Sequence, residues 1–165
     1  MSKYADNEKV LPVLAPGNIV ATETNTEFID CDLVSGPIEF SIMFGTVTST
    51  DTPFGATVTL TSCTQATTAG TETALAFKYR LSSAVATDSM GDLTAIGSTG
   101  YLVGDSDDNC ALLCFIDAAE VAASYAGARW VRATITPVAL TAACNVSAMA
   151  RFTPRYAGAS QPSST

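Results

Sequence analysis

The chain has 165 residues, of which 47% are hydrophobic and 15% charged, enough apolar area for one domain with its own core and too much for a disordered chain. Sixteen Asp and Glu against eight Lys and Arg leave a net charge of −8, which disfavours a nucleic-acid backbone or an anionic membrane as partner. No His is present, which removes the commonest general base and metal ligand from any mechanism.

Residues 1–17 begin polar and continue as Val10-Leu11-Pro12-Val13-Leu14-Ala15-Pro16-Gly17. Two prolines deny helical and central-strand hydrogen bonds, so the segment is expected to form an extended N-terminal arm. The polar start through Lys9 has no apolar stretch of the secretory kind. The longest uninterrupted apolar run, Cys110 to Ile116, is far shorter than the ~20 residues a bilayer span requires. The expectation is a protein made in a cytoplasm and not exported.

Residues 18–152 carry a period of two, the spacing at which a strand turns one face to a core. Ile38, Phe40, Ile42 and Phe44 alternate with Glu39, Ser41 and Met43, and Val58 and Leu60 alternate with Thr57, Thr59 and Thr61. Leu75, Phe77, Tyr79 and Leu81 oppose Ala74, Ala76, Lys78 and Arg80, which predicts one amphipathic strand. Tyr101-Leu102-Val103 is a short strand between glycines, and Ala111 to Ile116 is apolar on both faces, as a central strand covered on each side would be.

Asp117 to Ala126 is the one helical segment, with Asp117 as N-cap and Glu120 three residues on. Val131, Ala133 and Ile135 then alternate with Trp130, Arg132 and Thr134 up to Pro137, which is expected to stop the ladder. A last strand near Ala142 to Phe152 turns Cys144, Val146, Ala148, Ala150 and Phe152 inward. Residues 153–165 lose this pattern and are expected to form a C-terminal arm and loose tail. Many short strands with Thr- and Gly-rich connections predict an all-β fold, an antiparallel β-sandwich that is jelly-roll-like, with extended terminal arms and at most one short helix.

Chemistry-bearing patterns are sparse. Cys31, Cys63, Cys110, Cys114 and Cys144 are odd in number and sit mostly among apolar neighbours, the setting of buried thiols. Cys110 and Cys114 lack the second ligand pair that a zinc site needs. Asp105, Asp107 and Asp108 could converge on a hard cation but lack a helix-loop-helix frame, and a solvated turn is the simpler reading. No Gly-x-Ser-x-Gly and no phosphate-binding glycine loop occurs. Asn145-Val146-Ser147 matches a glycosylation acceptor but lies inside a strand. The expectation is no enzyme, no cofactor and no metal. Trp130 shares a face with Arg132 and not with the apolar side of its strand, a pattern suited to a protein interface. Tyr4, Arg155 and Tyr156 in the arms are contact candidates of the same type.

Three segments together resemble small virion structural proteins of tailed bacteriophages. They are Val10 to Pro16 leading into a strand, Trp130-Val131-Arg132-Ala133-Thr134-Ile135-Thr136, and the closing Ala150-Arg151-Phe152-Thr153-Pro154-Arg155-Tyr156. The resemblance is one of feature order over most of the chain. It implies a capsid cement or decoration protein on the virion exterior, assembled in the host cytoplasm. The partners it implies are the major capsid protein and further copies of the chain, as dimer or trimer. The alternatives are another phage head, neck or tail component, or a carbohydrate-binding or adhesin sandwich. An arm that works by clasping neighbours implies that removing residues 1–17 weakens shell binding while the core stays folded.

Overall fold

A computed structural model describes residues 8–48, 55–67, 70–82 and 89–156. Where apolar and β-branched residues alternate, the chain forms strands β1 (Lys9–Ile19), β2 (Thr24–Asn25), β3 (Ile29–Asp30), β4 (Val34–Phe44), β5 (Gly55–Cys63), β6 (Glu72–Leu75), β7 (Phe77–Leu81), β8 (Thr94–Ile96) and β9 (Tyr101–Val103). Strand β10 (Ala111–Asp117), helix α1 (Ala118–Ser124), β11 (Trp130–Val138) and β12 (Cys144–Pro154) complete the order. All pairings are antiparallel.

The strands make two sheets packed face to face. The first runs β1-β12-β4-β10-β7-β8 and the second β2-β11-β5-β6. Strand β3 joins β11 beside β2, and β9 joins β5 beside β6. The core lies between the sheets. Ile38, Phe40, Ile42, Leu112, Cys114, Ala148 and Ala150 of the first meet Val58, Leu60, Val131, Ala133 and Ile135 of the second, all buried. Burial of each Leu, Ile or Phe contributes about 1.5–3 kcal/mol, which makes the alternation the main determinant of the fold.

Four elements depart from the sequence-based expectation, each for a physical reason. Residues 9–17 of the expected N-terminal arm are part of β1, paired with β12 from Lys9 opposite Phe152 to Ile19 opposite Cys144. The prolines are tolerated because β1 is an edge strand, and the register shifts between Pro12 and Leu14 and again before Gly17. Val13 and Ile19 are buried, and the Val13 carbonyl accepts the Glu27 N–H at 2.8 Å, tying the edge to the crossing into the second sheet. Residues 1–7 lie outside the described residues.

The expected single strand through Leu75 and Phe77 is two. Leu75 pairs with Leu60 in the second sheet, whereas Phe77 pairs with Ile96 in the first. Exposed Ala76 marks the corner. Period two survives because Leu75 and Phe77 both point into the same core from opposite walls.

Pro137 does not stop β11, which continues to Val138 opposite Gly55. Beyond Ile135 opposite Thr24, β5 is the one strand neighbour of β11 among the described residues, so a residue without an N–H fits there. The outer face of β10, expected to be covered, carries half-buried Leu113 and Phe115 and belongs to the outer face of the first sheet.

Helix α1 closes one end of the sandwich through buried Ala118 and Val121. Asp117 Oδ1 accepts the Ala119 N–H at 2.8 Å and Glu120 Oε2 accepts the Asp117 N–H at 3.2 Å, the predicted capping arrangement. The connection into β9 needs Gly100, whose φ is +81° and whose added Cβ would collide with the Val58 carbonyl. At the C-terminus, Pro154 ends β12 and the Arg155 N–H donates to the Leu33 carbonyl at 2.9 Å. The expected tail from residue 157 on lies outside the described residues.

Candidate functional site

The inward set of each strand in the first sheet fixes what the outward set presents. Because the side-chain period is two, residues directly opposite share a face, and the register defines three rows across the outside. One row is Ser147, Met43 and Ala111. The next is Pro12, Met149, Ser41, Leu113 and Arg80, and the third is Val10, Arg151, Glu39, Phe115, Lys78 and Ala95. Val10, Met43 and Met149 are each about half exposed, at 55%, 49% and 48%. An apolar strip thus crosses four strands on the outside of an acidic protein.

Two grooves flank Phe115 on this face. The larger, about 650 Å³, lies between Phe115, Lys78, Ala95 and Ile96 on one side and Ala119 and Glu120 of α1 on the other. The smaller, about 160 Å³, is lined by Glu8, Glu39, Phe115 and Arg151. Arg151 donates to Glu39 at 2.7 Å, and this bond raises the guanidinium pKa further, with Glu8 adding a smaller contribution. Lys78 and Arg80 are exposed and have no carboxylate within ion-pair distance among the described residues.

The contact residues expected from sequence do not gather into one patch. Tyr4 lies outside the described residues. Trp130 is half-buried on the outer face of the second sheet, with the Arg129 guanidinium 5.2 Å from its ring centroid. Arg132 is only 7% exposed, pairs with Glu72 at 2.7 Å and lies 4.8 Å over the Phe28 ring. It acts within the fold, not on an open surface. Arg155 is exposed and, with Arg129, lines a third groove of about 390 Å³ beside α1, while Tyr156 is 61% exposed. Arg129 links this end to Trp130: its Nε donates to Asp30 Oδ1 at 2.8 Å, and Asp30 is 1% exposed.

The carboxylates of the acidic turn are engaged by hydrogen bonds within the fold. Asp107 Oδ2 accepts the Tyr101 hydroxyl at 3.1 Å and the Gly104 N–H at 3.4 Å, and Asp108 Oδ1 accepts the Val47 N–H at 2.6 Å. Burial, followed by the Asp107 charge, raises the Tyr101 pKa. Among the described residues no three His, Cys, Asp or Glu side chains converge on a point that could hold a metal ion. All five cysteines are buried thiols. Burial, reinforced by Asp30 and Asp32, pushes Cys31 up to about 12, and burial with Asp107 does the same to Cys110. Burial alone raises Cys114. Such thiols are poor nucleophiles at neutral pH.

Sequence reasoning did not single out the outer face of the first sheet, although Met43 and Met149 stood at polar positions of otherwise regular strands. For Leu113 and Phe115 the apolar run of β10 predicts a covering layer instead. Comparison of the chain with protein-family models, with curated proteins and with solved structures finds no match.

Proposed function

We propose that this chain is a structural subunit of a phage virion that binds the outside of the capsid and strengthens contacts between capsomers, as a cement or decoration protein. The observation that carries the reading is the outer face of the first sheet, an apolar strip with Met43, Met149 and Val10 exposed and grooves beside Phe115. Exposed apolar area of this extent marks interaction sites, and Met and Arg are favoured where proteins meet.

The strand order supports a jelly-roll reading. Strands β1-β12-β4-β10 face β2-β11-β5 with β9, so, with β2 and β3 taken together as two pieces beside β11, the chain alternates between sheets from β1 to β5 and again from β9 to β12. That architecture serves viral shells and lectins alike, so the surface and not the fold carries the function.

A subunit of this kind acts by mass action. It binds the assembled lattice and not the free capsid protein, so every bound copy stabilises the assembled state. Dimers or trimers seated on lattice axes let one patch serve several capsomers. Full-length protein mixed with empty shells prepared without this subunit is expected to pellet with them at a saturating copy number related to the lattice symmetry. Protein that stays in the supernatant, or pellets without saturation, would overturn the reading.

A further inference from the structure

We propose that Met43 and Met149 form a paired oxidation site on the outer face of the first sheet, and that oxygen transfer from a peroxide to their sulfurs switches that face from apolar to polar while the fold stays intact. The site stands on its own geometry, and its effect on shell binding alone rests on the function proposed above.

The register brings the two sulfurs to one place. Met43 on β4 stands between Ser147 and Ala111, and Met149 on β12 stands between Pro12 and Ser41. The two methionines are therefore diagonal neighbours on one face of adjacent strands, ~7 Å apart. The four flanking side chains are short, and both methionines are about half exposed.

Among the described residues, little competes with this pair for a peroxide. Thiolates react with peroxides ahead of thioethers, but all five cysteines are buried. Burial also holds Cys31, Cys110, Cys114 and Cys144 as thiols well above neutral pH. Of the other methionines, Met90 is half-buried in a bridge to Ser82 and Met1 lies outside the described residues.

The step is a two-electron oxygen transfer. A sulfur lone pair attacks one peroxide oxygen, the O–O bond breaks and an S=O bond forms. The proton of the transferred oxygen passes through solvent to the departing oxygen, which leaves as water or an alcohol. Sulfur is oxidised and the peroxide reduced. Each sulfoxide puts a strong acceptor dipole where an apolar thioether stood. Strands β12 and β4 lie between β1 and β10, so the new dipoles fall between Val10 and Pro12 on one side and Leu113 and Phe115 on the other, and they divide the apolar strip. Both side chains point away from the core, so packing between the sheets is untouched.

The test treats the full-length chain with hydrogen peroxide at neutral pH and follows it by peptide mapping, thermal midpoint, retention on phenyl resin and pelleting with empty shells. Met43 and Met149 are expected to gain oxygen about threefold faster than Met90 or more, with the cysteines unmodified and the midpoint nearly unchanged. The oxidised chain should leave the resin earlier and bind shells about fivefold more weakly, and methionine sulfoxide reductases A and B with dithiothreitol should restore both. The double variant Met43→Leu, Met149→Leu, with folding checked by circular dichroism, should keep retention and binding and lose the response to peroxide. Oxidation of Met90 or of a cysteine ahead of the pair, unchanged retention after oxidation, or a double variant that responds to peroxide as wild type does would each overturn the inference. Earlier elution with unchanged shell binding supports the switch and moves the shell contact to another face. If untreated wild type does not bind shells, the proposed function falls and the resin decides the inference.

Discussion

Asp30 is almost wholly buried and yet charged chemistry surrounds it: Arg129 grips it from a half-exposed position, and its Oδ1 also accepts the Asp32 N–H at 3.0 Å. Removing Arg129 leaves a buried carboxylate without its cation, which costs more than the pair itself contributes. Arg129→Ala is therefore expected to lower stability by about 2 kcal/mol in urea unfolding, discounted for the exposure of the arginine. Arg129→Lys should recover only part, because an ammonium cannot reproduce two parallel bonds to one carboxylate. Equal stability of Arg129→Ala and wild type would show that the pair is dispensable.

The thiols give a pH signature of the opposite kind from an acid-labile carboxylate. Cys31 and Cys110 are each pushed up to about 12, above the ~8.5 of an unfolded cysteine. Their contribution is complete below pH ~8.5 and is lost as pH rises toward 12, since the unfolded chain releases those protons first. Urea midpoints are expected to hold steady from pH 7 to 8 and to fall between pH 9 and 11, and Cys31→Ala should flatten part of that fall. Ellman's reagent at pH 8 should label all five cysteines only after denaturant is added; fast labelling of the native chain would contradict their burial.

At the scale of elements, the short helix and the first strand make the clearest predictions. Asp117→Ala removes the carboxylate that caps α1 and is expected to cost about 1 kcal/mol. The effect should be smaller for Glu120→Gln, which keeps an acceptor for the Asp117 N–H. For the N-terminus the structure changes the informative deletion. Removing residues 1–17 takes away most of β1, exposes the edge of β12 and uncovers core beneath Val13. That truncation is expected to unfold at markedly lower urea than wild type, whereas removal of residues 1–7 should leave the midpoint within about 0.5 kcal/mol. Shell binding by the shorter deletion is then the fair measure of what the terminal segment does.

Much at this scale was readable in advance because alternation reports burial directly. The inward sets of β4, β11 and β12 and the cap of α1 follow from residue type and spacing alone. What alternation does not report is which wall a strand belongs to, so Leu75 and Phe77 looked like one strand. Nor does it say whether an apolar outward residue is covered. Leu113 and Phe115 carry the same signal whether a second layer or a partner lies over them. A proline's tolerance likewise depends on the neighbours of its strand, which is why Pro12 and Pro137 read as breaks and are found within strands.

For the whole molecule, the arrangement is a sandwich with an enclosed apolar core and an outer face of the first sheet that carries Val10, Met43 and Met149 exposed. The enclosed part sets stability and, on the proposed shell-binding reading, the open part sets association, so substitutions should separate into the two classes. Phe40→Ala is expected to cost about 3–5 kcal/mol and to abolish shell binding only through unfolding. Met43→Ser, on the open face, should leave the thermal midpoint nearly unchanged and weaken pelleting with shells. A Met43→Ser variant that loses stability but keeps its affinity would reverse the division of roles assigned here.

The pairing of the first strand with the last has a consequence for synthesis. Lys9 meets Phe152, so the first sheet cannot be completed until β12 has emerged from the ribosome. Until then β1 lacks the strand it pairs with, and a net charge of −8 favours mutual repulsion of such incomplete chains. Completion of the sheet thus waits for its last strand, and premature termination anywhere before β12 should yield an aggregating product and not a smaller stable domain.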